Sequence, residues 1–350
     1  MQLQNKKKAK EAISNSNLLF LISMIIFIVM YVFAILRFPS SFLQFQTFFD
    51  LFSLNAPLII LTLGMSIVMI GGGIDISVGA VTGLVTMGCA VLLESKTGTV
   101  GSTMLLAVAI GLGFGLLQGF MIAYLEIQPF IITLAGMFLA NGLLTTIHKD
   151  PINVTYEPFV ALRDYNIIIP FLGNHNRLGN FIPLQIKIGA VVVFVLIVIL
   201  VMMMNWSRLG RNLYAIGGNS QSALMLGINV KKTKFISYLI SGLLSGIAGL
   251  VYLMNTGAGN VGNAAGFEMK AIAASIIGGT MLTGGVGNLL GSPVGALTLL
   301  TINELIRAAG VNSNYQAILS GFLLYIFIVM QSAVVWLRSR GTFKLAILRR

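Results

Sequence analysis

One carboxylate stands alone inside apolar sequence. Asp75 lies between Ile74 and Ile76 in GGGIDISVG at 71–79, at the edge of an apolar run. A charge in such a place is costly unless it is hydrated, paired or used at a helix end. Three uses fit it. Asp75 or Ser77 can cap a helix beginning near Val78, with negative charge close to the positive helix end. Asp75 can instead line or gate a polar pathway. It can also relay protons, which normally needs a second buried titratable group; among the later acids, Glu268 and Glu304 fall near the ends of apolar segments. Asn55, Gln118, Gln128, Thr133, Asn141 and Thr280 lie within or at the ends of such segments too. Their amides and hydroxyls can hydrogen-bond a small polar solute or hold helices together. Phe130 can stack on a sugar ring or simply pack.

Enzyme chemistry finds little footing. His148 and His175 stand 27 residues apart with no third ligand at metal spacing. No Ser/His/Asp arrangement is recognisable, no GxGxxG follows a strand, and G-K-[ST] does not occur. The chain is therefore expected to be no enzyme, with no metal, cofactor or ATP site of its own. If transport is driven by ATP, the nucleotide and its magnesium belong to partner subunits. The lone cysteine, Cys89, excludes an internal disulfide.

The elements that must position these residues are membrane spans. The 350 residues are 57% hydrophobic and only 9% charged, with a mean hydropathy of +0.93, whereas soluble domains carry about 25% charged residues. A helix of about 20 residues crosses the hydrocarbon layer. Candidates are 18–36, 51–70, 76–93, 100–122, 129–147, 184–204, 235–254, 268–283, 288–307 and 316–336. The expected fold is an all-α integral membrane protein of about ten transmembrane helices. Those at 76–93, 268–283 and 288–307 are glycine-rich or short, and are expected to include broken or re-entrant pieces. Continuous apolar runs such as 188–204 exclude a β-barrel. The run at 18–36 exceeds a secretory signal core and precedes no cleavage site, so it reads as a retained first helix.

Charge orients these spans. Of the formal +12, the tail at 1–17, the stretch 205–234 and the tail 337–350 carry +3, +5 and +5, while the longest other polar stretch, 149–182, is neutral. Basic segments beside apolar spans mark the cytoplasmic side. Both tails and 205–234 are thus expected inside, with 149–182 outside and the permease domain at 18–336. The same confinement to short segments argues against a nucleic-acid-binding surface. An even number of crossings independently returns the C-terminus to the side of the N-terminus.

Glycines make a second layer. GLGFG at 111–115 with Gly119, and Gly242, Gly246 and Gly249, fall at helical spacing and allow helix backbones to approach closely. GGGIDISVG at 71–79 and GGTMLTGGVGNLLGSP at 278–293, about 205 residues apart, are candidates for corresponding breaks in an internal repeat. In 205–234, Asn219 or Ser220 can cap a short helix over Gln221–Leu226, with Gly227 ending it and Lys231, Lys232 and Lys234 leading to the next span. That short helix suits either a docking knob for a motor subunit or a connector whose Leu224 and Leu226 touch lipid.

Five ordered stretches carry a family likeness: GGIDISVG (72–79), LQGFMIAYLEIQPFIITLAGMF (117–138), YAIGGNSQSALMLGINV (214–230), SGLLSGIAGL (241–250) and AIAASIIGGTMLTGGVGNLLG (271–291). Over about 50–335 the chain resembles the permease subunit of bacterial ABC sugar importers of the ribose-transporter type. FIITLAGMF, PINV (151–154) and GGVGNLLG look most like the permease of the galactofuranose importer. Ile76 stands where leucine is usual, and Gln221–Ser222–Ala223 departs from a pattern with an acidic or proline residue and paired alanines. The resemblance implies import of a monosaccharide across the bacterial inner membrane. It implies two ATP-binding subunits, a second copy or sister permease, and an extracytoplasmic sugar-binding protein. It makes 219–227 the docking helix, with Gly218, Asn219, Ala223, Gly227, Lys231 and Lys232 as coupling residues. It also sets Asp75 beside the cavity near the subunit interface. An ion-coupled carrier of a small polar solute, an autoinducer-2-type ABC permease, and a channel or scaffold are the competing functions.

Overall fold

The structure is a computed structural model. It describes residues 2–95, 98–175 and 181–310, with isolated positions between 315 and 329. Apart from those positions, the span expected at 316–336 lies outside the described residues, as does the tail 337–350. In chain order the helices before the long loop are α1 (Gln2–Arg37), α2 (Pro39–Phe42), α3 (Phe45–Leu54), α4 (Ala56–Ile70), α5 (Val78–Glu94), α6 (Val100–Ala123) and α7 (Pro129–Ile147). The loop holds β1 (Ile152–Asn153), α8 (Glu157–Asp164), β2 (Asn166–His175) and β3 (Phe181–Lys187). Then follow α9 (Ile188–Trp206), α10 (Arg208–Gly218), α11 (Ser220–Met225), α12 (Val230–Thr256), β4 (Ala258–Gly259), α13 (Phe267–Ile277) and α14 (Gly291–Ala308).

The fold is a mostly helical, apolar bundle. Five described helices are long and apolar enough to cross a membrane, at Asn17–Arg37, α6, α7, α9 and α12, and α3 with α4 makes a sixth if that bent pair is one span. The expected span 51–70 is broken by 60° between α3 and α4. Pro57 opens α4 without an N–H to join it to the preceding turn. The remaining expected spans are short. α5 has 17 residues, nearly all buried, and α13 has 11, ending at Ile277 rather than at 283. α5 is at the lower limit of a crossing, and α13 can complete one only with the irregular chain beside it.

α12 is the central post, packed against α6, α4 and α5. The glycine faces serve close helix packing, as the sequence predicts, and those of α6 and α12 meet each other. A Cβ on Gly242 would overlap the Gly111 carbonyl oxygen and lie 2.8 Å from the Gly115 Cα, and one on Gly249 would lie 2.6 Å from Val85 Cβ. Bare backbone thus lets α12 touch both α6 and α5. Thr82 and Thr86 of α5 donate across to the carbonyls of Ser245 and Gly249 at 3.3 and 3.0 Å. α5 therefore runs along the second half of α12, with its own first turn in the bundle interior.

Two small sheets modify the all-α expectation. β1 pairs with β4 through Ile152↔Gly259 and Asn153↔Ala258, which ties the long loop to the end of α12. β2 and β3 form an antiparallel hairpin from Asn166↔Lys187 to His175↔Phe181. Pairing as far as Lys187 holds the chain extended, so α9 starts at Ile188 and not at 184. The hairpin is clasped to α3 by Gln46, whose side chain donates to the Gln185 carbonyl and accepts from its N–H, each at 3.0 Å.

Replacing Gly242 with valine should cut the yield of monodisperse protein severalfold, since overpacking costs about 1–3 kcal/mol or more. Gly113→Val, in the same α6 seam sequence but with nothing within 4 Å, should leave it unchanged. Size-exclusion profiles of the purified variants compare the two.

Candidate functional site

The chain between α4 and α5 is unwound inside the bundle, and Asp75 organises it. Its Oδ1 accepts from the Ser77 N–H at 3.1 Å and the Ser77 hydroxyl at 2.7 Å, and its Oδ2 accepts from the Ser241 hydroxyl of α12 at 2.7 Å. Three donors and no acceptor suit a carboxylate. The Gln118 amide of α6 donates to the Ser77 hydroxyl at 2.9 Å. A Cβ on Gly136 of α7 would overlap that amide, and one on Gly73 would overlap the Tyr238 hydroxyl. Tyr238 itself donates to the Ile74 carbonyl at 3.3 Å. A cluster built on one buried acid therefore joins the unwound segment to α6 and α12, with α7 against its edge. The helix predicted near Val78 starts there, and Asp75 serves the N–H of Ser77 just ahead of it.

A second set of contacts is made of backbone. α4 and α13 end in the same way. The N–H groups of Gly71, Gly72 and Gly73 donate to the carbonyls of Ile67, Met69 and Val68, and those of Gly278, Gly279 and Thr280 donate to Ala274, Ile276 and Ser275. Gly72 and Gly279 supply the left-handed residue, with φ of +82° and +92°, that such helix ends require. The two glycine-rich stretches are thus equivalent in local geometry, with a register offset of 207 residues from Gly71 to Gly278. They also touch. Gly285 N–H donates to the Ile70 carbonyl at 2.9 Å, and a Cβ on Gly284 would lie 2.8 Å from the Gly72 Cα. Into this junction comes α10, where a Cβ on Gly217 would overlap both the Ile70 oxygen and the Gly285 nitrogen. Tyr214 adds a hydrogen bond to the Gly287 carbonyl at 2.9 Å. Three glycine pairs from distant parts of the chain are in backbone contact.

α11 leaves this junction directly. Asn219 caps it, its side chain accepting from the Ser222 N–H at 2.8 Å, and Gly227 ends it with φ of +79°. Ala223 is buried, while Leu224, Met225 and Leu226 are 64%, 90% and 75% exposed. The next span begins earlier than expected: Asn229 caps α12 through the Lys232 N–H at 2.9 Å, so Lys231 and Lys232 lie in its exposed first turn. α10, an amphipathic helix that buries Leu213 and Ile216, is absent from the sequence reading. Between α11, the start of α12 and the α6–α7 turn lies a cavity of about 710 Å³. Across it Lys231 pairs with Glu126 at 2.9 Å, and Glu126 itself holds a left-handed φ of +57°.

The predicted residues do not all converge. Asp75 and Gln118 share one cluster, and Thr133 lies one turn before Gly136, bonded to its own helix through the Pro129 carbonyl. Thr280 is buried in the second glycine turn, its hydroxyl without a partner among the described residues. Asn55 lies at the α3–α4 break, donating to the Leu51 carbonyl. Phe130 (54% exposed) and Asn141 face outward on α7. Sequence reasoning missed Ser241, Tyr238 and Gly217. The doublets Gly217–Gly218 and Gly284–Gly285 were the available signal for the junction.

Apolar spans enclosing unwound backbone and a buried acid define a polytopic transport protein, the kind of site built from broken helices near the middle of the layer. The chain belongs to the family described as the branched-chain amino acid transport system / permease component, which matches residues 47–328. It is 34% identical to the fructose import permease protein FruG of Bifidobacterium longum over 281 residues, 80% of this chain and 81% of that one. It is 35% identical to the inner membrane ABC transporter permease protein YjfF of Escherichia coli over 289 residues, 81% and 83% of the two chains. With the ribose import permease protein RbsC of Escherichia coli it shares 30% identity over 274 residues, 78% and 81%. No solved structure matches the chain.

Ser241→Ala leaves the Asp75 carboxylate one donor short and should destabilise the folded protein by about 1–3 kcal/mol, read as a lower midpoint in thermal unfolding. At the α6–α7 turn, hydrogen bonding and then charge from Lys231 hold the exposed Glu126 carboxyl below its ordinary value of 4.5. A depressed folded value means the attraction is present at neutral pH and is lost as pH falls below about 4.5. A spin label at Gln128 should therefore keep constant mobility from pH 8 to pH 5.5 and loosen only in stronger acid.

Proposed function

We propose that the chain is the membrane-spanning subunit of an ABC importer that moves a monosaccharide into the cell. Membership of the permease family and likeness to fructose and ribose import permeases support this reading. In it the chain crosses the inner membrane ten times, counting α5, α13 and α14 and a last span over 316–336, with both termini in the cytoplasm. The end of the bundle that holds α10, α11 and the glycine junction is then cytoplasmic. The end that holds the hairpin and the β1–β4 pair faces outward. Charge agrees: the segments at the outward end carry seven basic against six acidic residues, and the net positive charge falls on the other side.

The partners are two ATP-binding subunits, a second copy or a sister permease, and an extracytoplasmic sugar-binding protein. ATP and magnesium act in the ATP-binding subunits. The observation that carries the coupling is the backbone contact of Gly217 with both glycine turns. α11 presents Leu224, Met225 and Leu226 to the ATP-binding subunit, with Gly218, Asn219, Ala223 and Gly227 shaping it and Lys231 and Lys232 beside it. When the two ATP-binding subunits close on ATP, α11 is displaced, α10 moves with it, and the ends of α4 and α13 follow. The unwound segments 71–77 and 278–290 then change the path between them. Asp75 and Gln118 hold the first segment to α6 and α12 and act as positioning residues; Thr280 rides on the second. Outside, the loop 149–182 receives the sugar-loaded binding protein.

Membrane vesicles holding the whole complex should take up one of fructose, ribose or galactose only when ATP is inside, and should continue when ion gradients are collapsed. Met225→Glu should lower copurification of the ATP-binding subunit by about tenfold, the loss expected of a buried contact at an interface centre. Gradient-driven uptake without ATP, or unchanged copurification, contradicts the reading.

A further inference from the structure

Ser23 is the single polar side chain between Leu18 and Met30. It is buried on one face of α1 with Leu19 and Ala34, while Leu21, Ile25, Ile28 and Val29 are exposed on the other. A hydroxyl within an apolar span finds a hydrogen-bond partner on its own or a neighbouring helix. Here the neighbour is distant in sequence. The Ser23 hydroxyl donates to the Ile277 carbonyl at the end of α13, and it lies 2.9 Å from the Leu19 carbonyl of its own helix. One turn earlier, α1 meets the glycine turn that follows α13. A Cβ on Gly279 would lie 3.0 Å from the Leu19 Cβ and 3.1 Å from the Leu19 carbonyl carbon.

A helix ends with four carbonyls that its own ladder cannot serve. In α4 these belong to Ile67, Val68, Met69 and Ile70. The N–H groups of Gly71, Gly73 and Gly72 take the first three, and Gly285 N–H from the second glycine turn takes the fourth. In α13 they belong to Ala274, Ser275, Ile276 and Ile277. The N–H groups of Gly278, Thr280 and Gly279 take the first three, and Ser23 of α1 takes the fourth. The equivalent carbonyl is served from outside its own turn in both cases, by the second turn for Ile70 and by α1 for Ile277. Contact therefore runs unbroken from Gly217 of α10 through the two turns to α1. α1 also packs along α14, so it touches the chain on both sides of 278–290. It precedes the residues 47–328 that the family match covers.

We propose that Ser23 is a positioning residue of the transport cycle: it fastens the second unwound segment to α1, so that α1 travels with the end of α13 as part of the moving body. This rests on the sugar-importer reading and adds a third element to the body that α10 drives. Towards its other end α1 is held mainly by rings. Tyr31 packs edge-on against Phe42 and Phe48, with ring centres 6.0 and 5.9 Å apart, and its hydroxyl reaches the Phe42 carbonyl at 3.3 Å. Apolar packing is non-directional, so α1 tilts about this point when its Ser23 end is displaced. Without the hydroxyl, the second segment shifts free of α1. The ATP-binding subunits still close and hydrolyse ATP, but fewer of their cycles set the path correctly.

The test uses the full complex in liposomes. Ser23→Ala should lower the sugar imported per ATP hydrolysed by about threefold, the loss expected of a residue along a coupling network. Ser23→Thr keeps the hydroxyl and should keep the wild-type ratio. A loss of folded complex alone lowers uptake and hydrolysis together and leaves that ratio unchanged. In parallel, spin labels at Ile25 and Leu282 in a Cys89→Ser background should give the same distance with and without ATP, and Ser23→Ala should make that distance change with ATP. An unaltered ratio in Ser23→Ala, or an Ile25–Leu282 distance that changes with ATP while Ser23 is present, overturns the assignment. If Ser23→Ala does not assemble, the distance in the complex that retains Ser23 decides. Absence of ATP-driven uptake in the wild type is a different result, and it strikes the importer reading instead.

Discussion

Backbone that leaves the helix inside a lipid layer has to find partners for its N–H and C=O groups within the protein, and the rest of this fold follows from that requirement. Two segments leave the helix at the C-terminal ends of α4 and α13. Each first closes its own helix with the same three hydrogen bonds around a left-handed glycine. What remains is settled between them, through the Gly285–Ile70 bond and the bare contacts of Gly72, Gly217 and Gly284. Side chains would separate these strands of backbone, which is why the junction is built from glycine. Asp75 does the same work at the other end of the first segment by accepting from Ser77 and Ser241.

In the proposed importer such a junction carries displacement. α10 and α11 are joined by Asn219 alone, which ends one helix and caps the next, so motion of the exposed α11 has no slack loop to absorb it. α10 in turn meets both broken helices through Gly217 and Tyr214. The opposite end is braced differently. There the Gln46–Gln185 clasp and the β1–β4 pair join loops to α3 and α12 by hydrogen bonds near the surface. Close-packed glycine contacts thus hold one end, and hydrogen bonds near the surface hold the other.

Much of this was legible in the sequence where one residue type had one physical meaning. The small-residue faces on α6 and α12 served close helix packing as expected, because helical spacing fixes which glycines share a face. Asn219 and Gly227 bound a short helix because cap and stop chemistry is local. Span limits were less legible. Apolar composition cannot distinguish a helix that faces lipid from one buried in protein, so only the glycines and short lengths of 76–93 and 268–283 hinted that α5 and α13 start inside the bundle. The β2–β3 pair escaped notice because Ile167, Ile168, Phe171 and Ile182 read equally as strand or as the approach to a span. Partners across the fold, such as Ser241 for Asp75, carry no signal in spacing at all.

The central claim is that the cytoplasmic helices and the glycine junction move as one body against the outward end. Pulsed electron–electron resonance on the assembled complex tests it, with spin labels at Met225 and Leu282 for one distance and at Met225 and Tyr165 for another. The account predicts that ATP binding leaves the first distance unchanged and shifts the second. A first distance that changes while the second stays fixed would mean that α11 moves without the junction, and the proposed coupling would be wrong.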